Sequence, residues 1–295
     1  MGLGPVQLAI IGSLLRPGMR ILTIGRLKAR DDLGHEKWFD DWVAERTDVT
    51  TFSLDVSGRD GATVIADLNE EDPLESSMKE SFDLLIDGGS LEHVANTQSA
   101  LKNYYHLLKV GGKIFLCNPS NGYAGHGLYQ FSPEFYYRAF SRDNGFDPIL
   151  GLLEARSATP FRRLGYKSRI FLSPDPARFG RRLGFKGGQK TQMLFLAQRN
   201  ELGPPTFTFV QSDYEDLLED STKPDSSRAS HEIRRALATQ LKKLRKRLLP
   251  TLYPRMRKFL QSELIFRLGA HPLERVSANE FDHIIGTLGN REKSA

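Results

Sequence analysis

Apolar residues in this chain gather in short runs bounded by turn residues. ILTIG (21–25), TTFSLDVS (50–57), TVIAD (63–67), FDLLID (82–87), KIFLCN (113–118), PILGLLEA (148–155) and TQMLFLA (191–197) each read as a strand. The unbroken ones have the character of strands buried on both faces, as in a parallel sheet. Between them the period changes to that of a helix. A short helix is predicted over 4–15, ahead of Pro17-Gly18, and Trp38, Phe39, Trp42 and Val43 recur at helical spacing. Leu101, Tyr104, Tyr105 and Leu108 share one helical face, with Gly111-Gly112 as the stop signal. Ser132-Pro133 supplies an N-cap with proline at the first helical position, opening a helix expected to end near Asn144-Gly145.

Strands alternating with helices imply βαβ units. The expected fold is therefore α/β: a Rossmann-like, seven-stranded, mostly parallel sheet with helices on both faces, followed by a C-terminal helical tail. Ligands of such sheets bind at the carboxyl ends of the strands. The character of the chain changes near residue 200, where Gly203-Pro204-Pro205, an acidic patch from Asp213 to Asp220 and the polar KPDSS follow one another. The expected division is a domain over 1–200, a polar and acidic linker over 201–229 and a basic helical extension over 230–295. In that extension Ser230 would cap a helix reaching Pro250, with Ile233, Leu237, Leu241, Leu244 and Leu248 as its apolar stripe.

Charge sharpens this division. The formal net charge is +5, yet residues 228–260 alone hold eleven Lys and Arg against the single Glu232, which leaves the remainder of the chain net acidic. Any electrostatic argument for an anionic surface, a membrane face included, applies to the tail, and docking on the acidic remainder of the chain is its plainest use. Few aromatics accompany the cations, so no specific nucleic acid is expected as a partner. Residues 156–190 are also basic, with ten Lys and Arg against Asp175. They mark either a solvated loop or an anionic acceptor such as a phosphorylated sugar. QLAIIGSLL is too short to span a bilayer and has no basic residue before it, so neither a transmembrane segment nor a signal peptide is expected. MGLGPV carries Val6 where a myristoylation signal needs Ser or Thr. The one cysteine, Cys117, excludes an intrachain disulfide and fits a reducing, cytoplasmic setting, peripheral to a membrane if the tail docks there. No metal site is expected.

The candidate chemistry sits at strand ends. Asp55 closes the second strand, where a carboxylate accepts both hydrogen bonds of a ribose diol. Asp67 and Asn69 follow the third, where polar groups can meet an adenine edge, although Asp and Asn also favour turns for their own backbone bonding. His126, between Gly125 and Gly127 after the fifth strand, is a candidate general base for an acceptor hydroxyl or amine. The alternative is a loop that needs glycine angles, with His126 bonded to a carbonyl.

FDLLIDGGSLEHV followed by LLKVGGKIFLCNPSN resembles the class I S-adenosylmethionine-dependent methyltransferases over residues 17–198, and NGYAGHGLYQFSPEFYYRAFSRDNGF resembles the segment after strand five in one subgroup of them. The resemblance implies S-adenosyl-L-methionine as cofactor, methyl transfer to oxygen or nitrogen of a small-molecule or glycan-type acceptor, and cofactor contacts from Gly25, Asp55, Asp67, Asn69, Asp87 and Gly88. It sets Glu92 and His93 beside the sulfonium, with Asn121, Tyr129 and Gln130 shaping an acceptor pocket. The first glycine motif departs from the family's pattern. In ILTIGRLKA only Gly25 remains of the glycines, and Thr23 stands in the acidic position. A methyltransferase-like scaffold that has lost its cofactor is the competing expectation, with a nicotinamide dehydrogenase third.

Overall fold

The computed structural model describes residues 2–31, 33–156, 168–179, 189–203, 205–212, 214 and 275–291. Contacts divide the chain into two units; the larger takes in residues 1–175, 189–209 and 274–295 and contains all that follows. The predicted basic helix with its apolar stripe from Ile233 to Leu248 lies outside the described residues, as do the cations between 180 and 188.

In chain order the described elements are β1 (Gly2–Leu3), α1 (Pro5–Leu14), β2 (Arg20–Ile24), β3 (Lys28–Arg30), β4 (Glu36–Trp38), α2 (Phe39–Ala44), β5 (Thr50–Asp55), β6 (Val64–Ile65), β7 (Phe82–Asp87), α3 (Thr97–Leu107), β8 (Leu108–Asn121), α4 (Pro133–Ala139), β9 (Phe146–Ala155), β10 (Arg169–Leu172), β11 (Thr191–Arg199) and α5 (Ala278–Arg291). The central sheet has eight strands in the order β10-β9-β11-β8-β7-β2-β5-β6. β6, β5, β2, β7 and β8 run parallel, whereas β11 is antiparallel to both β8 and β9. The Rossmann-like α/β fold stands as expected. The seven expected strands are all present, and the eighth, β10, pairs antiparallel with β9 at the edge.

Alternation along the strands sorts the core into two faces. On one, Ile21, Leu84, Ile86, Phe115, Cys117, Leu194 and Leu196 pack with Leu8, Ile10, Ile11 and Leu14 of α1. On the other, Phe195 meets the rings of Tyr136, Tyr137 and Phe140 from α4 and its end. α5 belongs to the first face, since Leu288 is buried in that cluster and Phe281, Ile284 and Ile285 pack against it. Arg16 fastens the pair by donating from Nη2 to the Gly289 carbonyl at 2.8 Å. The end of the chain is thus part of the main unit, which corrects the division that placed all of 230–295 in an extension.

Two helix boundaries also differ from expectation. α3 stops at Leu107, and Gly111-Gly112 lie inside β8. A Cβ on Gly112 would come within 2.9 Å of the Phe82 and Lys109 carbonyl oxygens, so glycine serves a close backbone approach where the β7–β8 register shifts. α4 ends at Ala139 and a separate 3-10 turn, Arg142–Asn144, reaches Gly145 in the left-handed region.

A second, three-stranded sheet, β1-β3-β4, was not foreseen. It explains the departure at the glycine motif. Directly after Gly25 the chain enters β3, and no helix follows β2 at that point. Arg26 donates to Asp40 Oδ2 at 2.9 Å and to the Asp60 carbonyl at 2.9 Å while stacking on Trp38. Leu27 turns inward and is 1% exposed.

Candidate functional site

The carboxyl ends of β2, β5 and β7 lie side by side, with Ile24 paired to Leu54 and to Asp87. Gly25 leaves the sheet at φ +72°, in the left-handed region that glycine enters without penalty. Its amide donates to the Leu54 carbonyl at 2.6 Å. Thr23, in the motif's acidic position, donates from Oγ1 to the Gly25 carbonyl at 2.8 Å and so holds the turn from within. A Cβ at Gly25 would lie 3.5 Å from Ser90 Oγ and 3.8 Å from Asp55 Oδ2. The glycine face therefore opens between a hydroxyl and a carboxylate. Asp55 is half-buried and accepts from the Ser57 amide through Oδ1.

Asp67 and Asn69 form a turn beside this notch. Asp67 Oδ1 accepts from the Asn69 amide at 2.9 Å and from Asn69 Nδ2 at 2.8 Å, which holds its carboxyl below the usual range. Asn69 Oδ1 accepts from the amide of Asn96, the residue that caps α3. Local bonding thus accounts for much of the polar character that singled these residues out.

Asp87 and Gly88, expected as cofactor contacts, are both engaged within the fold. Asp87 is fully buried and accepts from the amides of Gly89, Ser90 and Leu91 and from Tyr104 Oη, at 2.6–3.1 Å. It shapes the loop that carries Ser90 to Gly25, where Ser90 Oγ donates to the Ile24 carbonyl at 3.0 Å. Gly88 faces Leu27, whose methyl groups lie 2.9 Å from where a Cβ would be, so packing against the small sheet fills its side.

The same loop continues into Glu92 and His93. Glu92 is 1% exposed, and Asn118 at the end of β8 donates to its Oε2 at 3.0 Å. Tyr136 in turn donates to Asn118 Oδ1 at 2.9 Å. Burial, with the negative charge of Asp87 nearby, raises the Glu92 carboxyl to about 7. The segment from 122 to 131 folds back over this residue. The amides of Leu128 and Tyr129 both donate to the Glu92 carbonyl, at 2.7 and 3.2 Å. His126 Nε2 comes to 3.6 Å from Glu92 Oε1, and its ring lies edge-on to that of His93 at 5.0 Å between centroids. Burial and the neighbouring His126 hold His93 below its ordinary value.

Of the expected acceptor residues, Gln130 accepts from the Tyr123 amide and Tyr129 donates to the Ala95 carbonyl, so both brace the loop. Asn121 ends β8 opposite Thr191. Leu128 is exposed beside them. The structure thus gathers Glu92, His93 and His126 into one cluster and Gly25 with Asp55 into a second. The 87–93 loop joins the two. Ser90, Asn118 and Tyr136 also belong to the site. No sequence signal singled out Ser90 or Asn118, and Tyr136 read only as part of a helix.

No family model and no curated protein matches this sequence. Among solved structures, the chain is similar to the Burkholderia thailandensis 1,6-didemethyltoxoflavin-N1-methyltransferase with bound 1,6-didemethyltoxoflavin and S-adenosylhomocysteine, at 14% identity over 66% of this chain and 78% of that one, TM-score 0.41. It is similar to an S-adenosylmethionine dependent methyltransferase from Mesorhizobium loti at 16% identity, covering 65% and 96% of the two chains, TM-score 0.41. The (4+2) cyclase SpnF gives 15% identity, 66% and 79% coverage and TM-score 0.42.

Proposed function

We propose that this protein is an S-adenosylmethionine-dependent methyltransferase acting on an oxygen or nitrogen of a small acceptor. One observation carries the reading: Gly25, in left-handed backbone, opens between the Asp55 carboxylate and the Ser90 hydroxyl at the carboxyl edge of the parallel strands. A nucleoside fits this edge, with its ribose diol on Asp55 and its base toward the Asp67–Asn69 turn. The missing Cβ at Gly25 leaves its backbone open to approach between the two polar groups, as the amino-acid portion would require.

When bound, the cofactor supplies an electrophilic methyl group. The chain's residues hold the acceptor in line and manage its proton. His126, half-exposed, takes the proton from the acceptor at Nε2. The Glu92 side chain, 3.6 Å from that nitrogen, then faces the cation that forms. Asn118 and Tyr136 keep the Glu92 carboxyl from turning away. A glycan or an anionic sugar would suit Arg156, Arg169 and Lys190 on the basic segment, and the lone buried Cys117 accords with a cytoplasmic setting.

A second reading, a scaffold without cofactor, is favoured by Leu27, which occupies the side of Gly88 where a glycine loop would leave room. Equilibrium dialysis with labelled S-adenosylmethionine separates the two. The enzyme reading expects binding that Asp55→Ala weakens at least tenfold; a scaffold retains no label in either protein.

A further inference from the structure

We infer that Glu92, His93 and His126 form a site for a divalent transition-metal ion of the zinc type. Each offers one ligand atom, and these atoms lie within 4.8 Å of one another. Among the described residues no other group of His, Cys, Asp and Glu meets that condition. Two imidazoles and one carboxylate, with coordination positions left for water or substrate, form the donor set of an open zinc centre. Mg²⁺ and Ca²⁺ prefer oxygen throughout, so the two imidazoles select against them.

The support around the cluster is that of a ligand set held in place. A ligating carboxylate needs an outer hydrogen bond to fix which oxygen faces the ion. Glu92 Oε2 is fixed by Asn118 Nδ2, and Asn118 by Tyr136, all three residues being buried. That leaves Oε1 on the side of His126. His126 is brought there by a loop whose amides at 128 and 129 bond the Glu92 carbonyl, and Gly127 permits the approach at φ +73°. Bonds of about 2 Å to zinc ask for ligand atoms about 3–4 Å apart, and both imidazoles belong to exposed side chains that can rotate. A metal-bound His126 is not available as a base, so the two proposed uses exclude each other at any moment. The inference does not depend on methyl transfer.

The test uses the tag-free full chain, stripped with EDTA and titrated with Zn²⁺ alone, with Co²⁺ as an optical probe. The expected result is one equivalent of Zn²⁺ bound at micromolar Kd or tighter, and a visible d–d band with Co²⁺ that Zn²⁺ abolishes. His93→Ala and His126→Ala, both at exposed positions, should keep the melting temperature and lose the band. Asn118→Ala should weaken binding by about tenfold or more, and His283→Ala on α5 should bind as the parent does. Absence of Zn²⁺ binding, or equal binding by the His93→Ala/His126→Ala double variant, overturns the assignment. S-adenosylhomocysteine affinity of the stripped protein is measured alongside, so a missing metal and a missing cofactor site are told apart.

Discussion

Gly127 lies against Glu92 so closely that a Cβ would stand 2.9 Å from both the Cγ and the carbonyl oxygen of that residue. Gly125, two residues earlier, has nothing within 4 Å of its missing Cβ. The two glycines of GHG therefore differ in kind. Gly127→Ala meets both a left-handed backbone and a clash, and should cost about 2 kcal/mol in urea unfolding while displacing His126. Gly125→Ala should fall within about 0.5 kcal/mol of the parent. Equal effects at the two positions would contradict this geometry.

Asp87→Asn should be among the most damaging single changes near the site. It removes the charge that three amides and Tyr104 Oη surround. The expected loss is about 3 kcal/mol, against about 1 kcal/mol for Tyr104→Phe, which leaves the three amides bonded. Chemical denaturation of both variants checks the order.

The raised carboxyl of Glu92 makes a prediction with a definite sign. Its folded value of about 7 lies above the ordinary 4.5, so the neutral form is favoured in the fold. That stability is complete below pH 4.5 and is lost as pH rises through 7. The groups facing Glu92 are Asp87, Asn118 and His126. In EDTA-treated protein, thermal stability should fall between pH 5 and 8 by an amount of order 3 kcal/mol beyond that of Glu92→Gln. A parent and variant with parallel pH profiles would refute it.

Leu288→Ala tests the place of α5. Leu288 is 8% exposed within the α1 cluster, and its truncation should cost about 2–3 kcal/mol. If the end of the chain were an independent extension, the melting temperature would not move.

Much of the fold was legible because runs such as ILTIG and FDLLID carry their own evidence: apolar residues unbroken by polar ones must be covered on both faces. β3 and β4 were not, since three residues are too few to show a period. Gly111-Gly112 misled because a glycine that ends a helix and one that admits a neighbouring carbonyl look alike in sequence. Among the candidate residues, Asp55 and His126 were singled out by type and position, and Glu92 by the family resemblance. Ser90 and Asn118 were not, because what recruits them is a fold-back of the 122–131 segment and a turn tied by Asp87. The same tertiary bonding engages Asp87 with three amides and Tyr104, and Gly88 with Leu27, partners that no local sequence pattern reveals.

Calorimetric titration of the purified full chain with S-adenosylhomocysteine tests the central claim without knowledge of the acceptor. The account predicts one site of micromolar affinity, about −8 kcal/mol, lost in Asp55→Ala. No heat up to millimolar ligand, or binding that ignores Asp55, would contradict it.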